Sequence, residues 1–160
     1  MPKTILVAGG SGFIGSNLCG FLLKKGDRVI CVDNLSTSSE KNVAQYLSFD
    51  NFIFLEADIC LPIKKAFKQI DEIYDLASPA DPNSESPISY MALPFETMLA
   101  NTTGLWNLCE LALKHKAKIL FASTSEIYGD PTVSPQMETY RGNVSTIGPR
   151  SVYDEAKRFG

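Results

Sequence analysis

Five short apolar runs recur along the chain, and the stretches between them carry helical spacing. The runs cover residues 4–8, 28–32, 52–55, 72–77 and 118–122, and each predicts a buried strand. Helices are predicted at 14–25, at about 41–47, at 63–68 and over a long stretch ending near Lys116. In the long one, Leu105, Leu108, Leu111 and Ala112 mark an apolar face. Strands alternating with helices imply right-handed crossovers and a parallel sheet covered on both faces. The fold class expected is α/β, a doubly wound parallel sheet in three αβα layers. Residues 78–94 break the rhythm with Pro79, Pro82, Pro87 and Pro94 among Asp, Asn and Ser, so a long loop is expected there. A second such loop covers 129–150. In a compact domain, loops of this length are disordered or functional.

The first strand runs straight into Gly9, Gly12 and Gly15, and the first helix follows. Gly9 is placed to turn tightly off the strand. Gly12 lacks the Cβ that would keep a pyrophosphate away, and Gly15 lets the helix pack close to the sheet. The helix N-terminus then offers free N–H groups and the positive end of its dipole to phosphate. Asp33 follows at the end of the second strand, 18 residues past Gly15, where a ribose hydroxyl needs an acceptor. This is the Rossmann-type dinucleotide pattern. A carboxylate at that point repels a 2′-phosphate. Arg28 sits at the far end of the strand, and the next cation is Lys41. NAD is therefore expected over NADP.

Composition narrows the function by exclusion. The chain has 160 residues, 44% hydrophobic and 21% charged, with a net charge of −3 and no basic run, so no nucleic-acid partner is expected. No apolar run is long enough for a bilayer, so no membrane partner is expected either. Cys19, Cys31, Cys60 and Cys109 are scattered without a C-x-x-C, as thiols in a reducing, cytoplasmic setting would be. The single histidine, His115, sits among lysines. With no clustered Cys, it argues against a zinc site or a Ser-His-Asp triad, and no metal is expected.

Tyr153 and Lys157 are four apart, on one face of a helix. An ammonium beside a phenol favours phenolate, so Lys157 is expected to lower the Tyr153 pKa and prepare it to accept a substrate proton. Ser123-Thr-Ser-Glu-Ile-Tyr-Gly129 closes the fifth strand, placing hydroxyls and the Glu126 carboxylate at the same edge. A cofactor loop, a tyrosine–lysine pair and a hydroxyl donor together suit hydride transfer.

These residues resemble the N-terminal half of an extended short-chain dehydrogenase/reductase, and most closely the UDP-glucuronate decarboxylase family. The matching segments include Gly9-Gly-Ser-Gly-Phe-Ile-Gly15, Tyr74-Asp-Leu-Ala-Ser-Pro-Ala80, Asn101-Thr-Thr-Gly104 and Ser123-Thr-Ser-Glu-Ile-Tyr-Gly-Asp-Pro131. Gly148-Pro-Arg-Ser-Val-Tyr-Asp-Glu-Ala-Lys-Arg158 completes them. The resemblance implies cofactor contacts from Gly9, Gly12, Phe13, Ile14 and Gly15, then from Asp33, Asn34, Leu35, Ser36 and Thr37. Asp58 and Ile59 would border the adenine, and Leu76, Ala77 and Ser78 would line the cofactor. Tyr153 would remove the C4 hydroxyl proton of a nucleotide sugar and, with Lys157, contact the cofactor, Lys157 also tuning Tyr153 and holding the nicotinamide ribose. Thr124 would hydrogen-bond the C4 oxygen, and Ser125 and Glu126 would assist at the carboxylate end. Pro79, Asn101 and Glu126 are the implied substrate contacts. Oxidation at C4 makes a β-keto acid, which loses CO2 before the hydride returns.

Three departures from the family lie where the sugar would go. Leu99 and Ala100 replace a basic residue before Asn101, the Pro-rich loop is longer, and Arg141 stands where the family has Trp. A 4,6-dehydratase or 4-epimerase using the same oxidation is the sister reading. A non-catalytic NAD-binding fragment is the reading from another class. Residues 151–160 begin a helix and stop, so residues 1–160 are expected to be the NAD-binding part of a longer chain without its substrate half. Relatives of this kind pair through helices, which implies a homodimer.

Overall fold

The five runs form one parallel sheet in the order β3-β2-β1-β4-β5. The strands are β1 (Thr4–Ala8), β2 (Arg28–Asp33), β3 (Phe52–Glu56), β4 (Glu72–Asp75) and β5 (Lys118–Phe121). The structure is a computed structural model that describes residues 1–63 and 65–160. Successive residues of β1 serve opposite faces. Ile5 and Val7 join Cys19, Leu22 and Leu23 of α1 (Phe13–Lys24) in one core. Leu6 and Ala8 join Ile30, Val32, Ile73, Leu108 and Ala112 in the other, beneath α3 (Leu105–His115). These are the three expected layers. Each fully buried Leu, Ile or Val contributes about 1.5–3 kcal/mol.

α2 (Pro94–Leu99) opens on a proline whose fixed φ suits the first turn, and one wide π-helical turn, Ala100–Gly104, joins it to α3. Such turns are frequent at functional sites. Gly104 packs closely there, and a Cβ would lie 2.7 Å from Ile59 Cδ1 and displace that side chain.

Local hydrogen bonding redraws several expected bounds. β2 and β3 each run one residue further than the apolar pattern, with Asp33 opposite Glu56. β4 stops two residues early because the Ala77 N–H turns back onto Asp75 Oδ1 at 3.2 Å. β5 stops at Phe121. The helix expected at 41–47 is two 3-10 turns, Glu40–Asn42 and Ala44–Tyr46, the first capped by the Ser39 hydroxyl. The helix expected at 63–68 is absent among the described residues, and Lys64 within it lies outside them. Six residues are too few to hold a helix without tertiary support. The long loop is ordered, with Asp81 bridging to Ser89 and with Ser89 and Tyr90 buried. Among the described residues, no helix is long and apolar enough to cross a membrane.

Candidate active site

The order of strands reverses between β1 and β4, so the loops after these two strands diverge and leave a crevice at the sheet's C-terminal edge. Gly9 has φ +70, and a Cβ there would lie 2.8 Å from the Leu76 backbone. A Cβ on Gly15 would lie 2.1 Å from Gly9 O. The left-handed backbone at Gly9 makes the tight turn expected of it, and Gly15 has the close packing expected of it.

The groove is walled by Gly9 and Gly12, by Asp33, Asn34, Ser36 and Thr37 after β2, and by Asp58 and Ile59 after β3. Leu76, Ala77, Ser78 and Pro79 complete it. Phe13 and Ile14 do not line it; their side chains point to solvent at the start of α1, 85% and 68% exposed. Leu35 does not line it either, but sits at φ +60 with its N–H on Asp33 Oδ1 at 2.9 Å. Glu96, Leu99 and Ala100 form a further wall; Leu99 and Ala100 are expected near the sugar as departures from the family, and the sequence reading missed Glu96. The only signal for Glu96 was the helix start at Pro94. Asp33, Asp58 and Glu96 give the described wall three carboxylates and no Lys or Arg.

Asp33 is already engaged. It is buried, and Oδ2 accepts from the Ser11 N–H at 2.8 Å, while Oδ1 accepts from the Leu35 N–H and from the Ser38 hydroxyl at 2.8 Å. The expected free acceptor is thus a hub that ties the glycine loop to the loop after β2. A ribose hydroxyl would share Oδ1 with the rotatable Ser38 hydroxyl.

At the end of β5, Thr124 caps the 3-10 turn Ser125–Tyr128 by accepting from the Glu126 N–H at 3.3 Å. Its hydroxyl also reaches the Tyr153 phenol and favours the phenolate form. Tyr153 and Lys157 are buried on α4 (Ser151–Phe159). Tyr153 lies flat against Tyr90 of the long loop, ring centroids 4.6 Å apart. The Tyr90 hydroxyl is buried without a partner among the described residues.

The expected lowering of the Tyr153 pKa is not found. Burial pushes it up, and the Thr124 hydroxyl and the Arg150 charge oppose that. The physical reason is where Lys157 goes: its Nζ donates to Ala122 O at 2.7 Å and lies 4.6 Å from the centre of the Phe121 ring. Burial pushes Lys157 itself down to about 8, opposed by the charge of Asp75. Glu126 forms an ion pair with Arg150, a partner the sequence reading did not single out.

Asn101 also departs from expectation. It is fully buried in the π-helical turn, where Nδ2 donates to Ser78 Oγ and Thr97 O at 2.8 Å each. It positions Ser78 of the groove wall, and its Oδ1 is buried without a partner among the described residues.

Asp75 was missed as well. It is buried at the end of β4 with Oδ2 unpartnered among the described residues, and burial pushes it up to about 6. Both buried charges oppose folding at neutral pH. Asp75 is raised above its unfolded value, so the stability it adds is full below about pH 4 and lost as pH rises through about 6. Lys157 is depressed, so the stability of its neutral form is present above pH 10.5 and lost as pH falls through about 8. We therefore expect urea midpoints to be lower at pH 7 than buried apolar side chains at these two positions would give. The double variant Asp75→Leu/Lys157→Met should raise the midpoint at that pH, by ~1–4 kcal/mol in free energy.

Sheet order, glycine loop and crevice define a Rossmann-type dinucleotide-binding domain. The chain belongs to the NAD dependent epimerase/dehydratase family, whose model matches residues 5–160. It is 45% identical over 156 residues to UDP-glucuronic acid decarboxylase 1 of Xenopus tropicalis, covering 98% of this chain and 35% of that protein. It is 44% identical over 155 residues to UDP-glucuronic acid decarboxylase 6 of Arabidopsis thaliana, covering 96% and 43%. Among solved structures, the UDP-glucose 4-epimerase of Thermus thermophilus complexed with NAD matches with a TM-score of 0.75 at 27% identity, over 98% of this chain and 48% of that one. The chain thus spans between 35% and 43% of the length of these two curated relatives.

Proposed function

We propose that this chain carries the cofactor site and the proton-handling residues of an NAD-dependent nucleotide-sugar decarboxylase acting on UDP-glucuronate. The observation that carries this reading is the convergence, at one sheet edge, of the glycine-loop groove with the Thr124 and Tyr153 hydroxyls. The likeness to two UDP-glucuronic acid decarboxylases supports the substrate.

The groove fits a dinucleotide. Gly9 and Gly15 let the glycine loop close against the backbone of Leu76 and of Gly9 itself, Gly12 borders the groove beside the N-terminus of α1, and Asp33 lines the groove at the end of β2. In this reading the N–H groups at the start of α1 hold the pyrophosphate and Asp33 receives the ribose. When bound, NAD supplies reversible hydride removal at C4, which leaves a β-keto acid and so an easy loss of CO2. Tyr153 takes the C4 hydroxyl proton, and Thr124, with its acceptor side used by Glu126 N–H, donates to the same oxygen. Lys157 spends one N–H on Ala122 O and keeps two for the nicotinamide ribose. Tyr90 covers one face of Tyr153 and excludes water from it.

Mass spectrometry of the products from the full-length protein with NAD and UDP-glucuronate tests the reading: loss of CO2 is expected. Water loss or C4 epimerisation of a glucose nucleotide would instead favour the sister reading. One observation already leans that way, since Glu126 is neutralised by Arg150 and the described groove wall carries no cation for a sugar carboxylate.

Asp33 makes a separate prediction. NAD should bind at least about tenfold more tightly than NADP, equivalent to ~1.4 kcal/mol of charge repulsion. Asp33→Asn should narrow that gap in a calorimetric titration; equal affinities in the unaltered protein would remove Asp33 from its assigned role.

The same reading includes a homodimer and a cytoplasmic setting. Exposed Phe95, Trp106 and Leu113 along α2 and α3 support the first, and four free cysteines support the second. Sedimentation of the full-length protein checks the dimer.

A further inference from the structure

Asp75 and Lys157 are two buried charges at the C-terminal ends of β4 and β5, and the fold brings them together from distant parts of the chain. Asp75 stands opposite Phe121 in the β4–β5 register. Lys157 Nζ lies over the ring of that same Phe121. The Ala122 carbonyl accepts from Lys157 Nζ, and the Ala122 N–H donates to the Asp75 carbonyl at 2.9 Å. Exposure is 1% for Asp75 and 5% for Lys157. Asp75 Oδ1 has one weak donor, the Ala77 N–H, and Oδ2 has none among the described residues. The other titratable groups that feel the carboxylate are Cys60, after β3, and Cys109, on α3, and both are neutral thiols raised in pKa. Among the described residues, Lys157 is the one cation whose charge acts on Asp75, and Asp75 is the one anion whose charge acts on Lys157.

We propose that Asp75 is a positioning residue: the buried counter-ion that keeps Lys157 protonated and seated on the Ala122 carbonyl at the edge of the cofactor groove. A buried charge without a hydrogen-bond partner is costly, and such a group persists where its charge is used. Burial alone would drive Lys157 toward its neutral form at neutral pH, and the Asp75 carboxylate opposes that. Between about pH 6 and pH 8 both groups are ionised, and this is the window in which the Asp75 carboxylate acts as counter-ion to Lys157. The consequence for catalysis rests on the function proposed above. The ionic coupling does not, and it is measured without cofactor or substrate.

The experiment is an NMR titration of the protein labelled with 13Cε-lysine, the Lys157 signal being assigned by its loss in Lys157→Arg. In the unaltered protein, Lys157 should titrate in two steps, one near pH 6 reporting Asp75 and its own near pH 8. A His115→Gln background removes the chain's single imidazole, at the opposite end of α3, as a source of the lower step. Asp75→Asn should abolish the lower step and bring the Lys157 midpoint down by about one pH unit. A single-step titration in the unaltered protein, or an unmoved midpoint in Asp75→Asn, would overturn the proposal. If Asp75→Asn does not fold, the unaltered protein's curve decides alone. Product analysis with UDP-glucuronate fails or succeeds independently, so the two readings are told apart.

Discussion

Replacing Tyr153 with Phe lowers kcat by roughly 10²–10⁴-fold, the usual contribution of a positioned general base. Phe keeps the ring and its stack on Tyr90, where the ring planes are 14° apart, and removes only the hydroxyl. Dinucleotide affinity should therefore stay within about twofold, because the groove wall does not include the Tyr153 ring. Single-turnover kinetics and a calorimetric NAD titration separate the two effects. A further signature comes from burial, which raises the Tyr153 phenol and favours its neutral form. Activity of the unaltered protein should rise with pH from neutral toward the alkaline side as phenolate becomes accessible. Thr124→Val removes a hydrogen bond that favours phenolate, so the rise should move to higher pH. Unchanged turnover in Tyr153→Phe would mean that another group takes the proton.

Gly15→Ala is expected to abolish tight dinucleotide binding and to destabilise the fold. The new Cβ would sit 2.1 Å from Gly9 O and 2.7 Å from Gly10 Cα. Both neighbours are backbone, so no side chain can rotate away, and either α1 or the loop must move. Overpacking of this kind costs about 1–3 kcal/mol. Displacing the loop also breaks the Ser11 N–H bond to Asp33, which couples the phosphate and ribose ends of the groove. Gly26→Ala is the control. Gly26 has φ +85 and open space around it, so Ala adds only local backbone strain of about 1–2 kcal/mol and leaves binding unchanged. Urea unfolding and NAD titration of both variants make the comparison. Equal NAD affinity in the two would show that the loop tolerates displacement.

The sheet was legible because its central strands β1 and β2 are buried and read as unbroken apolar runs, whereas β5, expected to be buried, lies at the sheet edge with Ile119 and Leu120 exposed. Their ends were legible only to within one or two residues, since strand ends depend on single hydrogen bonds such as Ala77 N–H to Asp75. The segments at 41–47 and 63–68 misled for a related reason. At 41–47 the weak helical periodicity does not outweigh the local cap at Ser39, and at 63–68 Ile63 and Phe67 pack against the core without a helix among the described residues. Of the groove residues, those following a strand end were found, because motif and topology coincide there. Glu96 was not, since it reaches the groove from a helix whose direction no local signal states.

By itself, the sequence determined the layered parallel fold, the glycine loop, the acid at Asp33 and the pairing of Tyr153 with Lys157 on one helix face. Each follows from spacing along a single element, where 2.0 and 3.6 residue periods dictate geometry. Only the tertiary structure decided what those groups face. It committed Asp33 to Ser11, Leu35 and Ser38, buried Asn101 behind Ser78 and laid Tyr90 on Tyr153. It also turned Lys157 away from the tyrosine toward Ala122 and Asp75. Charge states in a buried site depend on desolvation and on neighbours brought in from distant segments, and neither is written in the local order of residues.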